Sequence, residues 1–256
     1  MVLSLLRRSL VAPPTRPQPE PAALRVAHGT ASYDVVLKRS ARARRLTLRV
    51  SSATGEVVLT IPSRTALATA ERFARDHAGW IATRVAKLPG RIAFADGVEV
   101  PLRGDPHRIV ATGGRRAPAR VGRDAAGGPA ILVPGDADLV GKRVSELLMR
   151  EARADLAAAV ARHTAAVGIP ARRITLRDTR SRWGSCSARG HLSFSWRLIL
   201  APPFVLDYLA AHEVAHLKEM NHSARFWRVT ERLCPRTDEA EAWLRRHGAG
   251  LHRWGA

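Results

Sequence analysis

The sequence predicts an α+β protein, with an antiparallel β-rich region first and a mainly helical region carrying paired histidines after it. Three observations lead there. Apolar and polar residues alternate with period two between Tyr33 and Ile61, apolar residues recur at helical spacing from about Ala137 to Ala166, and His212 and His216 stand four apart in another apolar-periodic segment. At 256 residues the chain has material for a substantial core and for two units. With 46% hydrophobic and 25% charged residues its composition is globular. Its apolar stretches are broken by Arg, Asp or Pro well short of the roughly 20 residues a membrane helix needs, so no membrane partner is expected.

The elements follow in chain order. Residues 1–29 read as a flexible leader, because Pro13, Pro14, Pro17, Pro19 and Pro21 suit neither a helix nor a paired strand. Arg7 and Arg8 follow the short apolar run at the N-terminus instead of preceding it, so no secretory signal is read. Residues 30–136 form the β-rich region. Its strands run Tyr33–Lys38, Arg45–Val50 and Glu56–Ile61 as an antiparallel meander, then around Gly97–Leu102, His107–Ala111 and Ala130–Val133. Between the two sets Ser63 is expected to cap one helix through Leu67, Phe73, Trp80, Ile81 and Val85, stopped by Pro89 and Gly90. Residues 137–256 hold the long helix, which Gly168 and Pro170 stop, then strands Arg173–Asp178 and His191–Leu200. A helix entered through Pro202 and Pro203 carries the histidines. No internal repeat is visible.

His212-Glu213-Val214-Ala215-His216 puts two imidazoles on one helical face, one turn apart, where they can share one metal ion. Glu213, beside the first histidine, can reach a metal-bound water without ligating, the position of a general base. Zinc (Zn2+) is the natural ion, since it accepts three protein ligands and a water in a tetrahedron. His222 leads as third ligand. Asn221, tolerant of a left-handed turn, can end the helix before it, and Ser223 can cap a following helix through Phe226 and Trp227. A carboxylate from Glu231, Glu239 or Glu241 is the rival. The spacing to His222 also occurs in zinc proteases with Gly midway between the second and third His; here Glu219 stands there, so that group is not assigned. His247 and His252 read as surface residues.

These residues carry a resemblance. The run Arg180-Ser181-Arg182-Trp183-Gly184-Ser185-Cys186, then Leu192 to Trp196-Arg197-Leu198, Ala201-Pro202-Pro203, His212 to Leu217, and Asn221-His222-Ser223 to Phe226-Trp227 resembles the YgjP-like metallopeptidase family, related to the SprT-like and WLM proteases. Arg42 to Val50 and Trp80-Ile81 extend the similarity to roughly residues 30–254. The resemblance implies His212, His216 and His222 as zinc ligands, Glu213 as the catalytic glutamate and a peptide or protein substrate. The region 137–256 is then zincin-like, with the metal site on a helix.

Arg182, Trp183, Gly184 and Ser185 admit two readings. Either the segment leads into a strand whose free edge holds an extended peptide over the metal, or Trp183 and Trp196 fill the core and Gly184 makes a bulge. Tyr208, one turn before His212, is a candidate to help hold a developing oxyanion. Cys186 lacks a partner base in the sequence and is not read as a nucleophile. It and Cys234 lie far apart, which argues against a thiolate zinc site and sets a cytoplasmic expectation.

The net charge of +20 raises the question of a polyanionic partner, but the excess is spread along the chain. Arg39, Arg42, Arg44, Arg45 and Arg49 cluster by the first strands without interleaved aromatics, more like a solvated sheet face than a stacking platform. Two alternatives to a peptidase follow. One is a metal-dependent nucleotide or phosphoanhydride hydrolase. The other is a nucleic-acid-binding module with a structural metal, in which Glu213→Gln leaves function intact.

Overall fold

The computed structural model describes residues 22–51, 55–87, 90–179 and 181–255; the leader prolines, Pro89 and Arg180 lie outside these. Two compact units divide between Ala86 and Lys87.

The first unit holds β1 (Ala23–His28), β2 (Ala31–Ser40), β3 (Thr47–Val50) and β4 (Val57–Pro62), in the order β1-β2-β4-β3. β1 lies inside the segment read as leader. Its Leu24 and Val26 are buried, and the Pro-rich bias ends at Pro21, just before it. The sheet is not the antiparallel meander expected, because β2 pairs with β4 in parallel. β4 carries Val57, Leu59 and Ile61 into the core, whereas β3 exposes Thr47 and Arg49. The most apolar strand takes the doubly paired centre and the half-polar one the edge.

The helix that follows is two helices, α1 (Leu67–Asp76) and α2 (Ala78–Ala86). The N-cap is Ala66, without a side-chain bond, and not Ser63. Ser63 instead gives its carbonyl to the Arg39 guanidinium at 2.8 Å. The break falls at His77, whose ring stacks on Phe73 and whose Nδ1 donates to the Phe73 carbonyl at 2.8 Å. A side chain competing locally for the backbone ends the helix where periodicity continues it.

The second unit begins with β5 (Glu99–Leu102), β6 (Asp105–Gly113), β7 (Arg120–Arg123) and β8 (Pro129–Pro134), in the order β5-β6-β8-β7. Strand order and pairing senses repeat those of the first sheet, with the central pair parallel again. β7, an edge strand of Arg and Gly, has no sequence signal. At the β5–β6 turn Arg103 takes φ 55° and Gly104 φ 87°. Arg103 donates to Asp155 at 2.8 Å and Glu151 at 3.0 Å, both on α3 (Val140–Val167). Left-handed Gly168 closes that helix, its amide donating to Thr164.

β9 (Arg173–Arg177), β10 (Gly184–Cys186) and β11 (His191–Ser195) form a small sheet ordered β10-β11-β9. The expected strand to Leu200 stops at Ser195, whose hydroxyl accepts from the Arg197 amide and starts a 3-10 turn over Trp196–Leu200. Then come α4 (Pro203–Ala215), α5 (Ala224–Leu233) and α6 (Thr237–Leu251). One face of β11 (Leu192, Phe194), the 3-10 turn, α3 and α4 share a continuous core. Two polar ties fix this assembly. Asp207 on α4 accepts from His163 at 2.9 Å and Arg162 at 2.8 Å on α3. Buried Arg197 donates to Asp178 at 2.6 and 3.0 Å and to the carbonyls of Leu251 and Trp254.

Candidate metal centre

Pro203 opens α4 at its first turn, where the missing amide proton has no partner to lose. Val205, Leu206, Leu209, Ala210, Ala211, Val214 and Ala215 are buried, so α4 runs through the core and its polar residues are held rigidly. His212 lies in its last turn and His216 at its C-cap. The chain then turns back, with Leu217 donating to Val214 and Glu219 to Ala215. Asn221 does not supply the left-handed residue expected; among the described non-glycine residues only Arg103 has positive φ. Its side chain accepts from the Ser223 amide at 3.3 Å, and Ser223 caps α5 by accepting from Phe226 at 3.4 Å. These turns bring His222 to the two helical histidines.

One ring nitrogen from each of His212, His216 and His222 lies within 4.8 Å of the others. Nε2 of His212 and Nε2 of His222 are 3.2 Å apart. Two ligands on a tetrahedral ion with bonds of about 2.05 Å are separated by about 3.3 Å, so the His212–His222 spacing is that of two zinc ligands. The opposite ring nitrogens of His212 and His216 are engaged. His216 Nδ1 donates to the Glu219 carbonyl at 3.1 Å, and His212 Nδ1 lies 3.3 Å from the Tyr208 hydroxyl, which donates to Glu241 at 2.8 Å. Such outer partners fix the tautomer that leaves Nε2 free for a metal. Phe226, fully buried, lies against all three rings at centroid distances of 4.4 to 4.8 Å. Of the rival carboxylates, Glu239 pairs with Arg236 and Glu231 lines a separate cleft on α5, whereas Glu241 lines the cleft of His212 and Glu213 and accepts from Tyr208.

Glu213 is 4% exposed, and its Oε2 has no hydrogen-bond partner. Burial raises its pKa to about 8, against the opposing pull of Arg182. A buried carboxylate with an orphan oxygen is costly unless a cation or a bound water faces it, which fits a metal and its water. Burial, then the neighbouring His216 and His222, lowers His212 to about 4, keeping the imidazole neutral as ligation requires.

The remaining candidates fall into two groups. Gly184, on β10, stands directly over Glu213: a Cβ there would come within 2.8 Å of the glutamate's Cγ and Cδ. The edge strand approaches the glutamate only because residue 184 has no side chain. Trp183 stacks on His252 at 4.9 Å and joins the core margin, and Trp196 is in the core, but Gly184 pairs with Phe194 in regular register and makes no bulge. Trp183, Gly184, Tyr208, His212 and Glu213 line one cleft of about 410 Å³. Arg182 and Ser185 line another of about 550 Å³, which shares Gly184 with the first. Tyr208 is 4% exposed and held between His212 and Glu241, in a bonding pattern that orients His212. The Cys186 thiol is pushed up to about 11 by burial and by Glu213, which agrees with no nucleophilic role. Phe226 as a floor was not foreseen as a site residue, and Glu241, expected only as a rival ligand, is an outer partner instead. Both depend on α5 and α6 folding back on α4.

A family model described as the YgjP-like metallopeptidase domain matches residues 44–247. No curated protein matches the chain. Among solved structures, the metallopeptidase zymogen abylysin of Pyrococcus abyssi aligns at 22% identity, covering 36% of this chain and 92% of its own, with a TM-score of 0.33. At that TM-score the likeness carries no weight for this chain.

Proposed function

Because the chain belongs to the YgjP-like metallopeptidase family, we propose that it is a zinc-dependent peptidase whose catalytic region is residues 137–256, with His212, His216 and His222 holding the ion and Glu213 as general base. The observation that carries this reading is the three converging imidazoles beside a buried carboxylate with an unpartnered oxygen. Bound zinc supplies Lewis acidity, lowering the pKa of water and polarising a carbonyl. Glu213 accepts the proton of the attacking water and delivers it to the leaving amine, as its place beside His212 in one cleft allows. Tyr208 and Glu241 orient His212. The free edge of β10 offers main-chain groups to an extended peptide, and Gly184 keeps the route to Glu213 open. Free Cys186 and Cys234 support a cytoplasmic setting, and no helix among the described residues is long and apolar enough to cross a membrane.

The test is metal analysis and peptide cleavage on wild type, His216→Ala and Glu213→Gln. Wild type is expected to carry about one zinc and cleave, His216→Ala to lose both, and Glu213→Gln to keep zinc and lose cleavage. A wild type purified without chelators yet free of metal sinks the metal assignment. A Glu213→Gln protein with full activity sinks the general base. Release of phosphate from nucleotides, with no peptide cleaved, favours the phosphoanhydride reading.

A further inference from the structure

The small sheet has a second face that the core does not use. Leu192 and Phe194 of β11 turn inward, with Ile174 and Leu176 of β9 packed at the core margin. Register then places the alternate residues together on the other side: Arg173 beside His191, Thr175 beside Ser193, and Ser185 across from Ser193. With Arg177 and Arg182 they line the cleft of about 550 Å³, whose lining includes no carboxylate and, His191 apart, no aromatic ring. Among the described residues, the guanidinium groups of Arg173, Arg177 and Arg182 make no hydrogen bond or ion pair. Asp178 is the one acid in residues 172–189, which include six arginines. It is turned to Arg197. The cleft is therefore a concentration of positive charge and hydroxyl donors that crosses the sheet face from β9, which carries Arg173 and Arg177, to β10, whose Gly184 adjoins Glu213; Arg182 is close enough to act on that carboxylate.

We infer that this face is a specificity subsite for acidic side chains of the substrate peptide. The inference rests on the peptidase reading. An extended peptide added to the edge of β10 presents alternate side chains to the two sides of the sheet. Those on the Ser185 side point to the face whose cleft Arg173, Arg177 and Arg182 line, where Asp or Glu reaching toward the guanidinium groups gains charge-assisted hydrogen bonds and Lys or Arg meets like charge. Continuity with the Glu213 cleft through Gly184 favours a peptide over a nucleic acid.

The test compares peptides of one length that differ only in carrying Glu, Gln or Lys at alternate positions on one side of the scissile bond. Two readouts are used, kcat/KM with the zinc-loaded protein and binding to Glu213→Gln. The Glu peptide is expected to exceed the Gln peptide by about tenfold and the Lys peptide by more, in both readouts, with the preference shrinking as salt rises. In the double variant Arg173→Glu, Arg177→Glu the order reverses; because the ratio is taken within one protein, general damage divides out. Arg173→Gln, Arg177→Gln should flatten it. Equal kcat/KM for the three peptides, or a preference that survives charge reversal, overturns the inference. Acid-selective binding with no cleavage by wild type upholds the subsite and overturns the peptidase. If a single-stranded oligonucleotide binds through Arg173 and Arg177 while the Glu peptide does not, the subsite belongs to nucleic acid and the inference is wrong.

Discussion

The two four-stranded sheets are wired alike, yet they serve different ends. β1-β2-β4-β3 and β5-β6-β8-β7 share order, pairing sense, two-residue hairpin turns at 29–30 and 103–104, and six-residue links at 41–46 and 114–119. After β4 the chain makes two short helices interrupted at His77; after β8 it makes the 28-residue α3, against which α4 is pinned through Asp207. The same plan thus ends once in a small self-contained core and once in the support of the helix that carries His212. What separates them is the element that follows the sheet.

That contrast can be broken at the site first. On the proposed assignment, in which His216 is one of three ligands, His216→Ala is expected to remove zinc and activity together, as metal analysis with a cleavage assay will show. Gly184→Ala is next: the new methyl displaces Glu213, and kcat/KM should fall about a hundredfold with zinc retained. Unchanged kinetics there would mean that β10 can retreat, and the close approach would lose its meaning. The sheets themselves come third. Leu59→Ala in β4 and Ile131→Ala in β8, both fully buried, should each cost about 2–5 kcal/mol by thermal or denaturant unfolding. Only Ile131→Ala is expected to weaken zinc retention on partial unfolding, because only its core is continuous with α4.

The smallest effect concerns Asp207. Burial raises its pKa, but the bonds from His163 and Arg162 outweigh that and hold it below its ordinary 3.8. A depressed carboxylate stabilises the fold above its unfolded pKa and loses that contribution as pH falls through the folded one. Asp207→Asn should therefore cost about 1–3 kcal/mol at pH 7, and the difference from wild type should close below pH 3.8 in chemical denaturation.

The site was more legible in the sequence than the fold around it. Its main geometry is local: two histidines one turn apart, a glutamate between them, and a serine that caps the next helix all obey short-range rules. Gly184 shows where such rules end. Its contact is with Glu213, 29 residues on, and only tertiary packing brings them together. The parallel pairing of β2 with β4 was hidden for a related reason, since alternation reports which face is buried and not which neighbour a strand takes. The shared wiring of the sheets leaves no visible repeat because it demands apolar alternation and tight turns, which many residues satisfy. β7 offered neither.

His222 differs from its two companions in where it stands. His212 and His216 belong to a helix sunk in the core, while His222 is exposed on the turn between α4 and α5. On the assignment proposed here, two arms of the chelate are rigid and the third is hinged. Exchange of the ion is then a matter of one side chain swinging away, so the off-rate follows the stiffness of the Asn221–Ser223 turn. Loosening that turn should make the bound metal more labile to chelators before it costs the fold anything measurable.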